Sequence, residues 1–190
     1  MFKRIHNNRE GVTMMEILVS ISIIVIVLSL YTVNYRTANK RTQTILSAQK
    51  IVSDLRLAQS YAASAKRFNE NIASNVWGVF FDKSNPSQYI IFNDINNDDT
   101  YDPSEKFRLI DLQPGISVYS LEYETSDGEE YSFSENQLSI TFIPPDPEVR
   151  FYTDGDYVND PIVSIVLRDD TNNSTKKVSV NFFGLVDVAE

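Results

Sequence analysis

Apolar side chains run almost unbroken from Ile17 to Val33 and then give way to a spaced pattern. From Thr37 to Lys66 the chain holds neither glycine nor proline. Over that stretch Ile45, Ala48, Ile51 or Val52, Leu55, Ala58 and Ala62 recur every three or four residues, with Lys40, Arg41, Lys50, Asp54, Arg56 and Lys66 between them. That spacing puts the apolar side chains on one stripe of a helix and the charges on its other face. The pattern predicts one helix from about Thr13 to about Lys66, apolar all round in its first half and amphipathic in its second. At 1.5 Å per residue it would reach roughly 80 Å. A globular domain cannot bury a helix of that length, so the first half is expected in lipid or among copies of itself. The run Ile17–Val33 is at the short end of what spans a bilayer, and Val12–Met15 lengthens it only if Glu16 is tolerated.

After Asn71 the period changes from helix to strand. Trp77-Gly78-Val79-Phe80-Phe81 and Tyr89-Ile90-Ile91-Phe92 are rich in aromatic and β-branched residues, and Asp82 to Ser87 between them are turn formers, which predicts a hairpin. Further strands are expected at Phe107–Leu112, Ile116–Glu122, Gln137–Ile143, Ile162–Leu167 and Lys176–Phe182, the last ended by Gly184. The stretch Asp154–Pro161 reads as a turn built around Gly155 and Pro161. The fold class expected is α+β: a long amino-terminal helix, transmembrane in its first half, packed through its second on a carboxy-terminal antiparallel sheet or sandwich.

Charge sharpens this division. The chain of 190 residues has a net charge of −9, but residues 1–41 carry +4 and residues 42–190 carry −13. An acidic outer domain repels phosphate backbones, which argues against nucleic acid as a partner. Basic residues flank the apolar run on both sides (Lys3, Arg4 and Arg9 before it, Arg36, Lys40 and Arg41 after), so loop charge does not set an orientation. There is no cysteine, and the lone histidine is His6. Disulfides, thiolate metal sites and His-dependent triads are therefore excluded from the β-rich part, and no phosphate-cradling glycine loop is present. The chain is not expected to be an enzyme.

The segment with most specific content is Gly11-Val12-Thr13-Met14-Met15-Glu16, preceded by a short basic leader and followed by the apolar run. A carboxylate at the head of such a run is costly unless paired, which marks Glu16 as a functional candidate. No small-residue cleavage site follows the run, so an ordinary signal peptide does not account for it. A plain membrane anchor explains the run but neither Glu16 nor the Gly-to-Glu spacing.

The segment resembles the type IV pilin and type II secretion pseudopilin family. Further marks place the likeness nearest the GspH/FimT-like minor pseudopilins: Trp77-Gly78-Val79, Phe92-Asn93-Asp94 entering an acidic loop, and Val178 to Gly184 near the end. The resemblance implies cleavage by prepilin peptidase between Gly11 and Val12, methylation of the new amino terminus at Val12, and use of Glu16 to register one subunit on the next. It implies a division into a leader 1–11, a transmembrane or filament-core helix 12–36, an amphipathic helix 37–68 and a β-rich domain 69–190. Residues 120–137 and 144–160 then read as variable loops. It also implies a single-pass protein of the bacterial inner membrane before assembly, with its β-rich domain outside the cytoplasm. The implied partners are other pilin subunits, the peptidase, an inner-membrane assembly platform and the membrane itself. Many pilins carry a proline in the apolar half of the helix, and this chain has none between Gly11 and Lys66.

One loop suggests a metal. Counted from Asp94, oxygen-bearing side chains at Asp94, Asn96, Asp98, Asp102 and Glu105, with the Thr100 carbonyl, match the ligand spacing of a twelve-residue calcium loop. Asp99 stands where such a loop needs glycine, and strands flank it in place of paired helices. A solvated turn is the plainer account. No cofactor is required by the sequence; a structural Ca²⁺ held by those six residues is the alternative to a solvated turn. Two functions follow: a minor pilin or pseudopilin assembled through its helix, or a membrane-tethered acidic β module that captures a ligand or exported substrate.

Overall fold

The computed structural model describes residues 11–68, 74–144, 148–153 and 156–189, the side chains of 31–41 excepted. The expected leader, residues 1–10, lies outside the described residues, as do Asp154 and Gly155 of the expected turn. The chain divides into two compact units, one ending at Asn39 and the other Lys40–Glu190. The helix α1 comprises Met14–Ala63. In the first unit every described side chain of the helix, through Leu30, is exposed.

In the second unit the helical stripe is buried. Thr44, Ser47, Ala48, Ile51, Val52, Asp54, Leu55, Ala58 and Ala62 are all removed from solvent. Burying an Ile or Leu of this kind contributes roughly 2 kcal/mol each. The helix ends at Ala63, not at Lys66, because Ala65 turns into the left-handed region (φ 49°) and the Lys66 amide bonds back to the Tyr61 carbonyl at 2.9 Å. An alanine in that role leaves no glycine signal to read. The indole of Trp77 then donates to the Lys66 carbonyl at 2.7 Å, tying the helix end to the first strand.

Eleven strands follow: β1 Val76–Asp82, β2 Gln88–Asp94, β3 Lys106–Asp111, β4 Ile116–Glu124, β5 Glu130–Ser132, β6 Gln137–Ile143, β7 Glu148–Thr153, β8 Asp156–Val158, β9 Ile162–Asp169, β10 Thr175–Asn181 and β11 Val186–Ala189. They form two antiparallel sheets, β3-β2-β1-β6-β7-β8 and β11-β10-β9-β4-β5. One hydrophobic core joins both sheets to the helix, with Trp77, Phe81, Tyr89, Phe142, Leu121 and Ile165 among its largest members. Gly78 sits where a Cβ would lie 2.6 Å from the Phe92 ring and 2.9 Å from the Ile140 carbonyl oxygen, so only glycine fits between β2 and β6.

Four expectations are corrected. The α+β class with a transmembrane first half gives way to a mainly β architecture of two antiparallel sheets, and no helix among the described residues is long and apolar enough to cross a membrane. Among the described side chains the apolar run extends from Ile17 to Leu30 with Glu16 at its head, which falls short of the roughly 20 residues that a span takes. The same finding overturns the localisation as a single-pass membrane protein. The expected loops 120–137 and 144–160 are corrected as well, since they carry β5, β7 and β8. Strand β11 also follows Gly184, which does not end the sheet.

Candidate functional site

The sequence singled out two places, and the structure gives them different surroundings. At the first, Thr13 precedes α1 and its hydroxyl accepts the Glu16 amide at 3.3 Å, while its carbonyl accepts the amides of Glu16 and Ile17. Thr13-Met14-Met15-Glu16 is thus a helix-start signature that the sequence reading did not use. A glutamate in the first turn also complements the helix dipole, a local role that any helix would reward. Gly11 has open space around it, Val12 is exposed, and no cation pairs with Glu16 among the described residues. From there the apolar side chains Ile17 to Leu30 continue exposed.

The second place, Asp94 to Glu105, is not a solvated turn. Asp94 is fully buried at the end of β2, and its carboxylate accepts the amides of Asn97 (2.7 Å), Asp98 (3.3 Å) and Asp99 (2.9 Å). Glu105, also buried, accepts the amides of Ile95 (2.7 Å), Asn96 (3.4 Å) and Asp102 (3.0 Å). Asn96 donates to Asp98 (2.9 Å) and Asp102 (3.4 Å), and Thr100 closes on Asp98 through both amide and hydroxyl. Asn97 and Asp99 take positive φ of 59° and 61°. Asp99 therefore adopts the left-handed turn that a calcium loop assigns to glycine.

What holds Asp99 there is its side chain. It points into the outer face of the six-stranded sheet, where it accepts from Thr141 (2.8 Å), Arg150 (3.2 Å) and Tyr157 (2.7 Å). Beside it the Tyr101 ring lies 5.0 Å from Phe80 and 5.7 Å from Phe92, centroid to centroid. The acidic loop is thus a cover clamped over β1, β2, β6 and β7, with a buried ion pair as its pin.

Electrostatics follows from this burial. Desolvation pushes Asp94 up to about 6, and the nearby Glu105 charge adds to the rise, while the amides of Asp99, Asn97 and Asp98 oppose it. Tyr101 is raised by burial and by Glu105 and Asp102, and Tyr157 is raised first by its hydrogen bond to Asp99. Arg150 is held more firmly protonated by its hydrogen bonds to Glu148 and Asp99, against the opposing effect of burial.

Of the six expected calcium ligands, Asp94 and Glu105 are turned onto backbone amides, and Asp98 and Asp102 face Asn96. No group of three or more His, Cys, Asp or Glu side chains among the described residues is placed to hold a metal ion. The ligand spacing is present, but the donors are not gathered about one centre.

A second buried acid escaped the sequence reading, which set Asp54 on the charged face of the helix. Asp54 is buried, and it accepts from Lys50 (2.7 Å), Arg108 of β3 (3.3 Å) and the Tyr89 hydroxyl (2.6 Å). Burial, then the Asp54 hydrogen bond, raises the Tyr89 hydroxyl far above its usual range. The only sequence trace of this pin is Lys50 four residues before Asp54, a common surface pair. Compared with known proteins, the chain matches no family model, no curated protein and no solved structure.

Proposed function

We propose that this chain is a pilin-like structural subunit, a minor pilin or pseudopilin, that is cut between Gly11 and Val12 and assembles through its amino-terminal helix. The observation that carries the reading is the spacing Gly11 to Glu16 directly ahead of a helix whose side chains from Ile17 to Leu30 all remain exposed. So much apolar surface in one stretch asks for a partner. Copies of the same helix supply one, and apolar packing between them provides most of the cohesion.

Glu16 adds register to that cohesion. A carboxylate enclosed among apolar helices is costly alone and tolerable only against a cation, here the amino terminus at Val12 of the neighbouring subunit. One sliding position satisfies it, while others strand the charge. Methylation at Val12 leaves that cation in place.

Co-expression of the chain with a prepilin peptidase tests the reading by intact mass. A loss matching residues 1–11 is the expected result. An intact chain in the presence of a peptidase that cuts a control prepilin overturns it.

A further inference from the structure

The two sheets end on their shortest strands, β5 in one and β8 in the other, and these two ends meet around a single cavity of about 480 Å³. Its walls carry the rings of Tyr123, Phe133 and Tyr157 and the carboxylates of Glu135 and Asp160. Among the described residues no lysine or arginine lines it, and Arg150 lines the adjoining cavity that shares Tyr157 to Asp160 with it. Three basic side chains of the domain have other partners: Arg150 pairs with Asp99 and Glu148, Lys177 with Glu122 and Glu130, and Lys83 donates to the Glu135 main-chain carbonyl, its charge adding to the Ser134 hydrogen bond in holding the Glu135 carboxyl below its usual range. Among the described residues no ion pair involves Asp160 or the Glu135 carboxylate.

Carboxylates and ring faces without a cation are a receptor for one. Ring quadrupoles attract an ammonium or guanidinium, and carboxylates at the cavity wall add charge-assisted hydrogen bonds. A cavity of this size admits a long side chain. The strands supply the second element of recognition. β5 pairs only with β4, and β8 only with β7, so each presents an outward edge of unpaired main-chain groups. An extended peptide added to such an edge sends alternate side chains toward the cavity.

We propose that this cavity is a binding site for an extended, arginine- or lysine-bearing segment of a partner protein. The segment's main chain pairs with the edge of β5 or β8, and one of its cationic side chains enters between Tyr157, Tyr123 and Phe133 to meet Asp160 and Glu135. The negative charge of residues 42–190 steers such a segment to the domain without fixing where it docks. The site is independent of the amino-terminal helix, and so of the filament reading.

The test uses the full chain and a fluorescein-labelled nonapeptide that alternates arginine with threonine, read by polarisation at about 0.15 M salt. Two double variants with equal loss of charge are compared: Glu135→Gln with Asp160→Asn in the cavity, and Asp127→Asn with Glu129→Gln on the exposed β4–β5 turn. The cavity pair is expected to weaken binding about tenfold and the turn pair less than about twofold. A matching peptide with glutamate in place of arginine is expected not to bind. Should the cavity pair fail to fold, Asp160→Asn alone carries the comparison. Hydrogen exchange with the arginine peptide bound is expected to slow at the amides of Asp156–Val158 or Glu130–Ser132. Absence of binding up to about 1 mM peptide, equal weakening by the two variants, or unchanged exchange at both edges overturns the proposal.

Discussion

Asp99 and Arg150 stand fifty-one residues apart in the chain and 3.2 Å apart in the fold, the acid buried and the guanidinium at the protein surface. The pair fastens the acidic loop to the outer face of the six-stranded sheet, and Thr141 and Tyr157 complete the hydrogen bonding of the carboxylate.

Removing either end of this pin has unequal consequences. Arg150→Ala strands a buried carboxylate with only two neutral donors, whereas Asp99→Ala frees a guanidinium that water can solvate. Arg150→Ala is expected to cost about 2–3 kcal/mol, below the roughly 3–5 kcal/mol of a fully buried pair because Arg150 is partly exposed. Asp99→Gly is expected to cost less than Asp99→Ala by roughly 0.5–1 kcal/mol, since glycine accepts the positive φ. Urea unfolding of the three variants checks this; equal costs for glycine and alanine at position 99 would remove the backbone part of the argument.

Gly78 is a steric requirement of the core. A methyl group there meets the Phe92 ring and the Ile140 carbonyl at distances no real contact tolerates. Gly78→Ala is expected to destabilise by about 2–3 kcal/mol, in the upper part of the range for overpacking. A thermal melt within about 1 °C of wild type, against the roughly 2–4 °C expected per kcal/mol for a domain of this size, would show that β1 can shift away from β2.

Stability should depend on pH through Asp94. Its carboxyl in the folded chain titrates near 6, above the ordinary value of 3.8, so the folded state binds the proton more tightly than the unfolded state does. Linkage then makes this group's contribution largest below about pH 4, and it is lost as pH rises through 6. The loss is on the order of 2–3 kcal/mol. Asp94→Asn keeps one oxygen for the amides of Asn97 and Asp98, gives up the acceptor of the Asp99 amide and cannot titrate, so the difference between wild type and variant should change between pH 4 and 7 and level off above. A pH-independent difference would place the Asp94 titration elsewhere.

The acidic loop is pinned through Asp99 to Thr141, Arg150 and Tyr157, which bears on calcium. Melting curves of the chain with calcium and with EGTA are expected to coincide within about 1 °C; a rise of several degrees with calcium would mean that the six candidate oxygens close around an ion.

Glu16 can be varied without touching the cut site. Glu16→Val is expected to leave processing after Gly11 intact while greatly reducing incorporation into filaments, read by shearing and immunoblotting. Incorporation at the wild-type level would end the registration role.

Much of the β-rich part was legible because its signals are local. Val76–Asp82 and Gln88–Asp94 pair as the aromatic runs and the turn between them predict, and Gln137–Ile143 forms a strand at its predicted bounds. The missed strands β5, β7, β8 and β11 have from three to six residues, too short or too polar for alternation to stand out, and they exist because a neighbouring strand pairs with them. Asp54 looked like a surface charge because helical spacing cannot see Arg108 and Tyr89 arriving from the sheet. The transmembrane reading failed for a related reason. Apolar composition says that side chains leave water, but spanning a bilayer is a matter of length, and the run among the described side chains, Ile17 to Leu30, is short.

The sequence by itself determined where the helix and the longer strands lie and the acidic balance of the domain. These depend on period, residue size and composition, which are properties of neighbours along the chain. Only the tertiary structure decided that Asp99 is a pin and not a misplaced glycine, that Asp94 and Glu105 bind their own backbone, and that β5 and β8 frame a cavity with acids and rings but no cation. Each of these is a meeting of groups from distant segments. The energy of such a meeting comes from burial and geometry that no local pattern records.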